Sequence, residues 1–379
     1  MIIKNGVVFT DEYVFAKADV AFEGGVITQI APADTLHGAD VMDAKGGYVL
    51  PGFVDIHTHG AVNFDFCDGN AEGIEKMLAY YGSQGVTTVV PATMSFNQPI
   101  LADVLDVAIP YFEKEGHGAV LRGVNMEGPF INMDKKGAQN GKYIVNPQIE
   151  MFNALYQQCG GRIRLVDIAP ELPGSLDFIK AVKDKCTISI AHTNANYDQA
   201  LAAFEAGASH VTHLFNAMPP FTHRAPGVIG AASDMATFVE LISDGFHLHP
   251  SVVRAVFNWF GKNRVCLISD CMRATGMPDG DDYSLGGQRV IMQGGKATLE
   301  DGTLAGSATN LAEMTRRAIG FGVPMEDALR AATANPATAT GLIHQVGSLT
   351  AGKQADIVIW NQKLENQAVL VGGKLVAGQ

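Results

Sequence analysis

Six side chains of metal-binding type stand just past the ends of short apolar runs: His57, His59, Glu127, His192, His213 and Asp270. The first two close the stretch Pro51-Gly52-Phe53-Val54-Asp55-Ile56-His57-Thr58-His59-Gly60, an apolar strand that leads into two histidines one residue apart. Side chains alternate faces along a strand, so His57 and His59 point the same way and can share one cation. Alone, a His-x-His is as readily a solvated pair in a turn; the four further ligands at matching positions make it half of a metal site. Imidazole and carboxylate sets suit zinc and other divalent first-row ions, and a catalytic site keeps one position open for water. Binding lowers the pKa of that water from near 16 to about 7, so metal-activated hydroxide is the expected nucleophile at neutral pH. Asp270 is the natural general base, able to take a proton from the attacking water and return it to the leaving group. Its plainer role would be that of a metal ligand alone.

Positioning six such residues at one place is the work of the elements before them. Short β-branched runs at 52–56, 87–91, 119–126, 163–168, 187–191, 210–212, 237–242 and 265–269 alternate with helix-period segments such as 71–82, 101–115, 198–206 and 250–261. That alternation is the pattern of parallel β/α units. Eight of them predict an α/β fold, a (β/α)8 TIM-like barrel, with its chemistry at the carboxyl ends of the strands. An open doubly wound sheet is the runner-up, but no G-x-G-x-x-G follows the first strand. Residues 1–50 and 346–379 read instead as period-two strands, broken at the hairpin signals Asn5-Gly6 and Glu23-Gly24-Gly25 and folding back at Gly372-Gly373. Neither end has apolar surface enough to stand alone. The expected organisation is therefore a barrel over 51–345 and a small β-sandwich formed jointly by 1–50 and 346–379.

The 379 residues, 47% hydrophobic, can bury one large core and a smaller one. A formal charge of −12 speaks against nucleic-acid binding and against adhesion to anionic membranes, both of which call for a basic surface. No run of about 18 apolar residues could span a bilayer, and the first residues lack a signal peptide's pattern, so a soluble cytoplasmic protein is expected. Five scattered cysteines without a C-x-x-C fit reduced thiols used for packing.

The motifs resemble the amidohydrolase superfamily of metal-dependent hydrolases: His57-Thr58-His59 after strand one, one histidine after each of strands five and six, and Asp270 after strand eight. Many members carry a lysine ligand after strand four. Here strand four runs into Ile168-Ala169-Pro170-Glu171, and the carboxylate comes from Asn125-Met126-Glu127-Gly128-Pro129-Phe130 after strand three. In this the chain is similar to the N-acetylglucosamine-6-phosphate deacetylase family. Ala191-His192-Thr193-Asn194-Ala195, Thr212-His213-Leu214-Phe215-Asn216-Ala217-Met218-Pro219, Arg224-Ala225-Pro226-Gly227, Asp244-Gly245-Phe246-His247 and Gly302-Thr303-Leu304-Ala305-Gly306-Ser307 agree with it as well.

The resemblance implies one metal on Glu127, His192 and His213 and a second on His57 and His59, with Glu127 bridging and Asp270 close by. Zinc is the leading identity, with iron, manganese or cobalt accepted by the same donors. It also implies a small phosphorylated amino sugar lying against Asn216, Ala217, Arg224, His247 and the Leu304, Ala305, Gly306 loop, with Ala138 in backbone contact, and a homodimer. The expected reaction is loss of the 2-acetyl group to give glucosamine 6-phosphate and acetate. By their own chemistry, Arg224 offers a planar fork for phosphate, while His247 and Asn216 offer hydrogen-bond donors to the sugar. His249 reads as a helix-entry or surface residue. Two departures stand out: Gln139, expected among the substrate contacts as a donor that cannot titrate, follows Lys135-Lys136-Gly137-Ala138 where many relatives carry a histidine, and Cys271 follows Asp270 where alanine is expected, foremost a space-filler and alternatively an oxidisable thiol beside the site. The galactosamine epimer, another N-acyl substrate, or a non-catalytic metal-binding scaffold are the competing readings.

Overall fold

A computed structural model describes residues 1–116 and 118–378. Eight parallel strands build the barrel: Phe53–Asp55, Val86–Val89, Val120–Leu121 continued by Val124–Met126, Ile163–Ile168, Thr187–Ile190, His210–Val211, Phe238–Leu241 and Val265–Leu267. Neighbours pair in chain order. The second strand reaches the third through an Ala92–Asn125 bridge, and the eighth closes onto the first where the Asp270 N–H donates to His57 O at 2.8 Å. Closure satisfies the edge groups that an open sheet would leave unpaired. The strands are short and almost wholly buried, which is why they read as continuous apolar runs rather than alternating ones.

A helix follows each strand. Pro250–Phe260 illustrates the outer layer: His249 caps its start by accepting from Ser251 N–H, Pro250 occupies the first turn, and Val253, Val256, Phe257 and Phe260 form the buried stripe. The helix expected over 101–115 differs. It runs Gln98–Ala108, capped by Asn97, and gives way to a 3-10 turn Ile109–Tyr111. Pro110 explains the stop, since a proline inside a helix removes a donor and clashes with the preceding turn.

The terminal segments supply Ile2–Phe9, Phe15–Glu23, Val26–Pro32, Val41–Asp43, Tyr48–Pro51, Ile357–Trp360, Asn366–Val371 and Lys374–Gly378 to one eight-stranded sheet. Ile3, Val8, Val20, Phe22, Ile27, Ile357 and Leu370 share its own core. Strand Tyr48–Pro51 leads almost directly into the first barrel strand, and Trp360 packs on Phe53 at 5.4 Å between ring centroids. The sheet thus fixes where that strand begins. Asn5-Gly6 is not a hairpin but a bulge within Ile2–Phe9. A Cβ on Gly6 would lie 2.5 Å from Val49 Cγ2, so the glycine answers a close approach rather than a turn.

One part of the fold is absent from the sequence reading. After the eighth strand an antiparallel sheet of Gly280–Leu285, Gln288–Gln293 and Lys296–Thr298 rises over the barrel mouth, packed through Leu285, Val290 and Met292 against Met94 and Met272. A Thr298–Leu304 bridge and the bond from Ser307 N–H to Asp270 O, 2.7 Å, tie its following loop to the site.

Candidate active site

All six ligand-type residues come together. The first barrel strand ends at Asp55, so His57 and His59 lie beyond it, yet both still face inward: their Nε2 atoms lie 3.5 and 3.1 Å from Glu127 Oε2. On the other side of the same carboxylate, His192 Nε2 and His213 Nε2 lie 3.0 and 3.4 Å from Oε1. Each oxygen of Glu127 therefore serves one pair of imidazoles. Asp270 Oδ1 completes the first group, 3.6 Å from His57 Nε2 and 3.4 Å from His59 Nε2. Two sets result, His57 with His59 and Asp270, and Glu127 with His192 and His213, the donor atoms in each lying within 4.8 Å of one another.

The backbone bends to achieve this. His192, His213 and Asp270 have φ of +42°, +31° and +46°, a left-handed region that non-glycine residues seldom occupy. Strain of this kind persists where surrounding structure imposes it, and here it turns three strand ends toward one centre.

Electrostatics makes the arrangement costly without a cation. The Nε2 atoms of His192 and His213 approach to 3.2 Å, and His57 Nε2 and Glu127 Oε2 are buried with no hydrogen-bond partner among the described residues. Burial disfavours charge on His57, yet the carboxylates of Glu240 and Glu127 push its pKa well up; His59, likewise buried, is raised to about 10 by Glu127 and Asp270. Burial alone would raise Asp270, but the bond from His59 and the charges of His57 and His59 hold it below the usual carboxylate range. Burial opposes charge on Glu127 as well, but the charges of His57 and His59 and the bonds from His192 and His213 hold it well below that range. These are anionic acids facing imidazoles, several of them across gaps of 3.4 to 3.6 Å that are long for hydrogen bonds, a donor set that fits one or two divalent ions.

Around this centre lies a cavity of about 340 Å³, lined among others by Lys135, Ala138, Gln139, Asn216, Ala217, His247, Leu304 and Gly306. Two of the expected contacts, Asn216 and His247, differ in detail. Asn216 spends its amide nitrogen on His213 O (3.1 Å) and Leu214 O (3.3 Å), so its oxygen is left to accept rather than its nitrogen to donate. His247 Nδ1 donates to Asp244 Oδ2 at 2.7 Å, which leaves Nε2 for the ligand. Gln139 accepts from Ser95 N–H through Oε1 at 2.6 Å, keeping the donor end of its amide for the cavity. Ala305 is buried behind the lining, and Arg224 is exposed in the loop before helix Gly227–Asp234, outside the lining altogether. Lys135, not singled out in the sequence, is the lining residue with a fixed positive charge, and its carbonyl oxygen lies 2.7 Å from His192 Nδ1, fixing that ring.

Cys271 is fully buried, its sulfur 3.1 Å from Thr58 Oγ1. Burial, aided by the charge of Asp55, pushes the thiol up to about 11, so it remains a protonated space-filler, the foremost of the two roles expected of it, rather than the oxidisable group that was the alternative. Cys271→Ala is expected to keep kcat within about three-fold, and thiol reagents are expected to leave Cys271 unmodified in the folded protein. Rapid labelling of Cys271 under native conditions, read by peptide mass spectrometry, would contradict this.

Residues 48–376 match the amidohydrolase family, and the chain belongs to it. Within that class, it is 35% identical over 374 residues to the N-acetylglucosamine-6-phosphate deacetylase of Bacillus subtilis (strain 168), spanning 96% of this chain and 94% of that one. It is also 31% identical over 356 residues to the N-acetylgalactosamine-6-phosphate deacetylase of Escherichia coli O157:H7, spanning 93% of each. Among solved structures, the N-acetyl-D-glucosamine-6-phosphate deacetylase of Mycobacterium smegmatis in complex with N-acetyl-D-glucosamine-6-phosphate superposes with a TM-score of 0.93 at 29% identity, covering 100% of this chain and 99% of that one.

Proposed function

We propose that this chain hydrolyses the acetamide of N-acetyl-D-glucosamine 6-phosphate, giving D-glucosamine 6-phosphate and acetate. The observation that carries the reading is Glu127, whose two oxygens face two imidazole pairs on the floor of a sugar-sized cavity, with Asp270 beside them. A divalent ion held by these residues supplies Lewis acidity toward the amide carbonyl and lowers the pKa of water toward about 7. Zinc is our choice of metal.

The chain's own residues do the rest. Asp270, held anionic, accepts the proton of the attacking water as the carbon–oxygen bond forms, then delivers it to the 2-amino nitrogen as the carbon–nitrogen bond breaks. His247 Nε2, with its ring fixed by Asp244, and Asn216 Oδ1 hold sugar hydroxyls. The amide nitrogen of Gln139 and the Leu304–Gly306 loop complete the grip. Lys135 brings positive charge to a cavity in a chain of net charge −12.

We place the enzyme in the cytoplasm as a homodimer. Arg224 and the exposed Phe221–Trp259 pair, with ring centroids 5.3 Å apart, lie on one loop and its neighbouring helix, and a second copy is the partner we assign to them. In that arrangement Arg224 meets phosphate in the partner's cavity. Arg224→Ala is then expected to lower kcat/KM for the phosphosugar by about 10-fold or more and to leave the unphosphorylated sugar unaffected. Equal losses on both substrates would remove phosphate from the account of Arg224.

The similarity to an N-acetylgalactosamine-6-phosphate deacetylase supports one second reading, the epimeric substrate. Acetate release from the gluco and galacto 6-phosphates, and from unphosphorylated N-acetylglucosamine, separates them. Faster turnover of the galacto compound would replace the first reading with the second.

A further inference from the structure

The mid-strand acid Glu240 lies under the metal-binding groups and was not among the residues the sequence singled out. It sits between Val239 and Leu241 in the seventh barrel strand, Phe238–Leu241, with none of its surface exposed. A buried carboxylate is costly unless its oxygens are met by donors. Here one oxygen, Oε2, takes two. His57 Nδ1 lies 2.9 Å from it, and the backbone N–H of His213 donates to it at 3.2 Å. Leu214 N–H also donates to the Glu240 carbonyl at 3.0 Å, so strand seven holds the turn that carries His213 from both backbone and side chain.

These two partners belong to different ligand sets. His57 stands with His59 and Asp270, and His213 stands with Glu127 and His192. Glu240 touches neither the cavity nor Glu127, so it acts only through them. An Nδ1–H donated to a carboxylate fixes the imidazole tautomer, leaving the Nε2 lone pair free, and sets the plane of the ring. For His57 that freed atom is the one directed at Glu127 Oε2 and Asp270 Oδ1.

We propose that Glu240 is a positioning residue that sets the spacing between the two ligand sets, by holding the ring of His57 and the backbone of His213 on a single carboxylate oxygen. The inference rests on the metal-holding part of the reading above, not on the identity of the sugar. Glu240→Gln keeps the volume and can accept only through its one amide oxygen, without the charge. Glu240→Asp keeps the charge but withdraws it by one methylene.

The test is metal affinity rather than turnover. Wild type and both variants, stripped with a chelator, are titrated with zinc in competition with a chromophoric chelator, and the metal-free proteins are melted to establish that each folds. In E240Q the site containing His57 is expected to bind zinc about 10- to 100-fold more weakly, with the visible spectrum of the cobalt-loaded protein altered and the melting of the metal-free form retained. E240D is expected to lose affinity in the same direction by a smaller factor. Wild-type zinc affinity and cobalt spectrum in folded E240Q would overturn the proposal; should E240Q not fold, the same comparison is read from E240D. Failure of the wild type itself to bind zinc or cobalt would instead overturn the metal reading, so the two failures are told apart in one titration.

Discussion

Replacing Glu127 with alanine is expected to remove metal and turnover together, with kcat falling by on the order of 10⁴-fold or more, because water then keeps a pKa near 16. The size of the effect follows from geometry. Glu127 is the side chain whose oxygens reach both imidazole pairs, so its loss removes a ligand from the set with His192 and His213 and also the carboxylate that faces His57 and His59, whereas His59→Ala removes a donor from one set alone. The vacated space is also electrostatically unfavourable, since four buried imidazoles lose the carboxylate that faces them. Metal content by elemental analysis and acetate release at saturating substrate are the paired measurements. A variant that retains full metal and wild-type kcat would show that Glu127 is not the shared ligand.

The second large effect is Asp270→Asn. The amide preserves shape but cannot accept the proton, and kcat is expected to drop by about 10²- to 10⁴-fold with KM changed only about three-fold. Because Asp270 also faces His57 and His59, loss of a ligand must be separated from loss of a base. Excess zinc serves that purpose. If Asp270 were only a ligand, saturating metal would restore activity; as the proton carrier it will not be replaced. Recovery to within a few-fold of wild type under excess zinc would assign Asp270 to coordination alone.

Most of the barrel could be read from the chain because its strands are buried on both faces and stand out as β-branched runs such as Val86–Val89 and Thr187–Ile190. The ligands were legible for a related reason. Histidines and acids directly after such runs have few structural uses, and closure of the barrel gathers strand ends at one rim. Other features depend on groups distant in sequence. Glu240 hides as one acid in an apolar strand, and the signal that could have revealed it is its burial cost: a charge at an inward-facing barrel position needs a partner. The orientation of Asn216 is set by the carbonyls of His213 and Leu214 in a turn with irregular backbone, which residue type cannot encode. The antiparallel sheet over the mouth consists of short polar strands with glycine turns at Gly286-Gly287 and Gly294-Gly295, a texture shared with loops. Asn5-Gly6 shows the converse error, where a turn signal served a bulge because Val49 packs against the glycine. The guanidinium of Arg224 suits phosphate by its chemistry, which says nothing of which way an exposed loop carries it.

The most direct measurement follows acetate released from N-acetyl-D-glucosamine 6-phosphate while zinc is returned to chelator-stripped protein. Release should be negligible in the stripped enzyme and rise in proportion to bound zinc, reaching its plateau at one or two ions per chain. Undiminished release by protein shown to be free of metal would contradict the account.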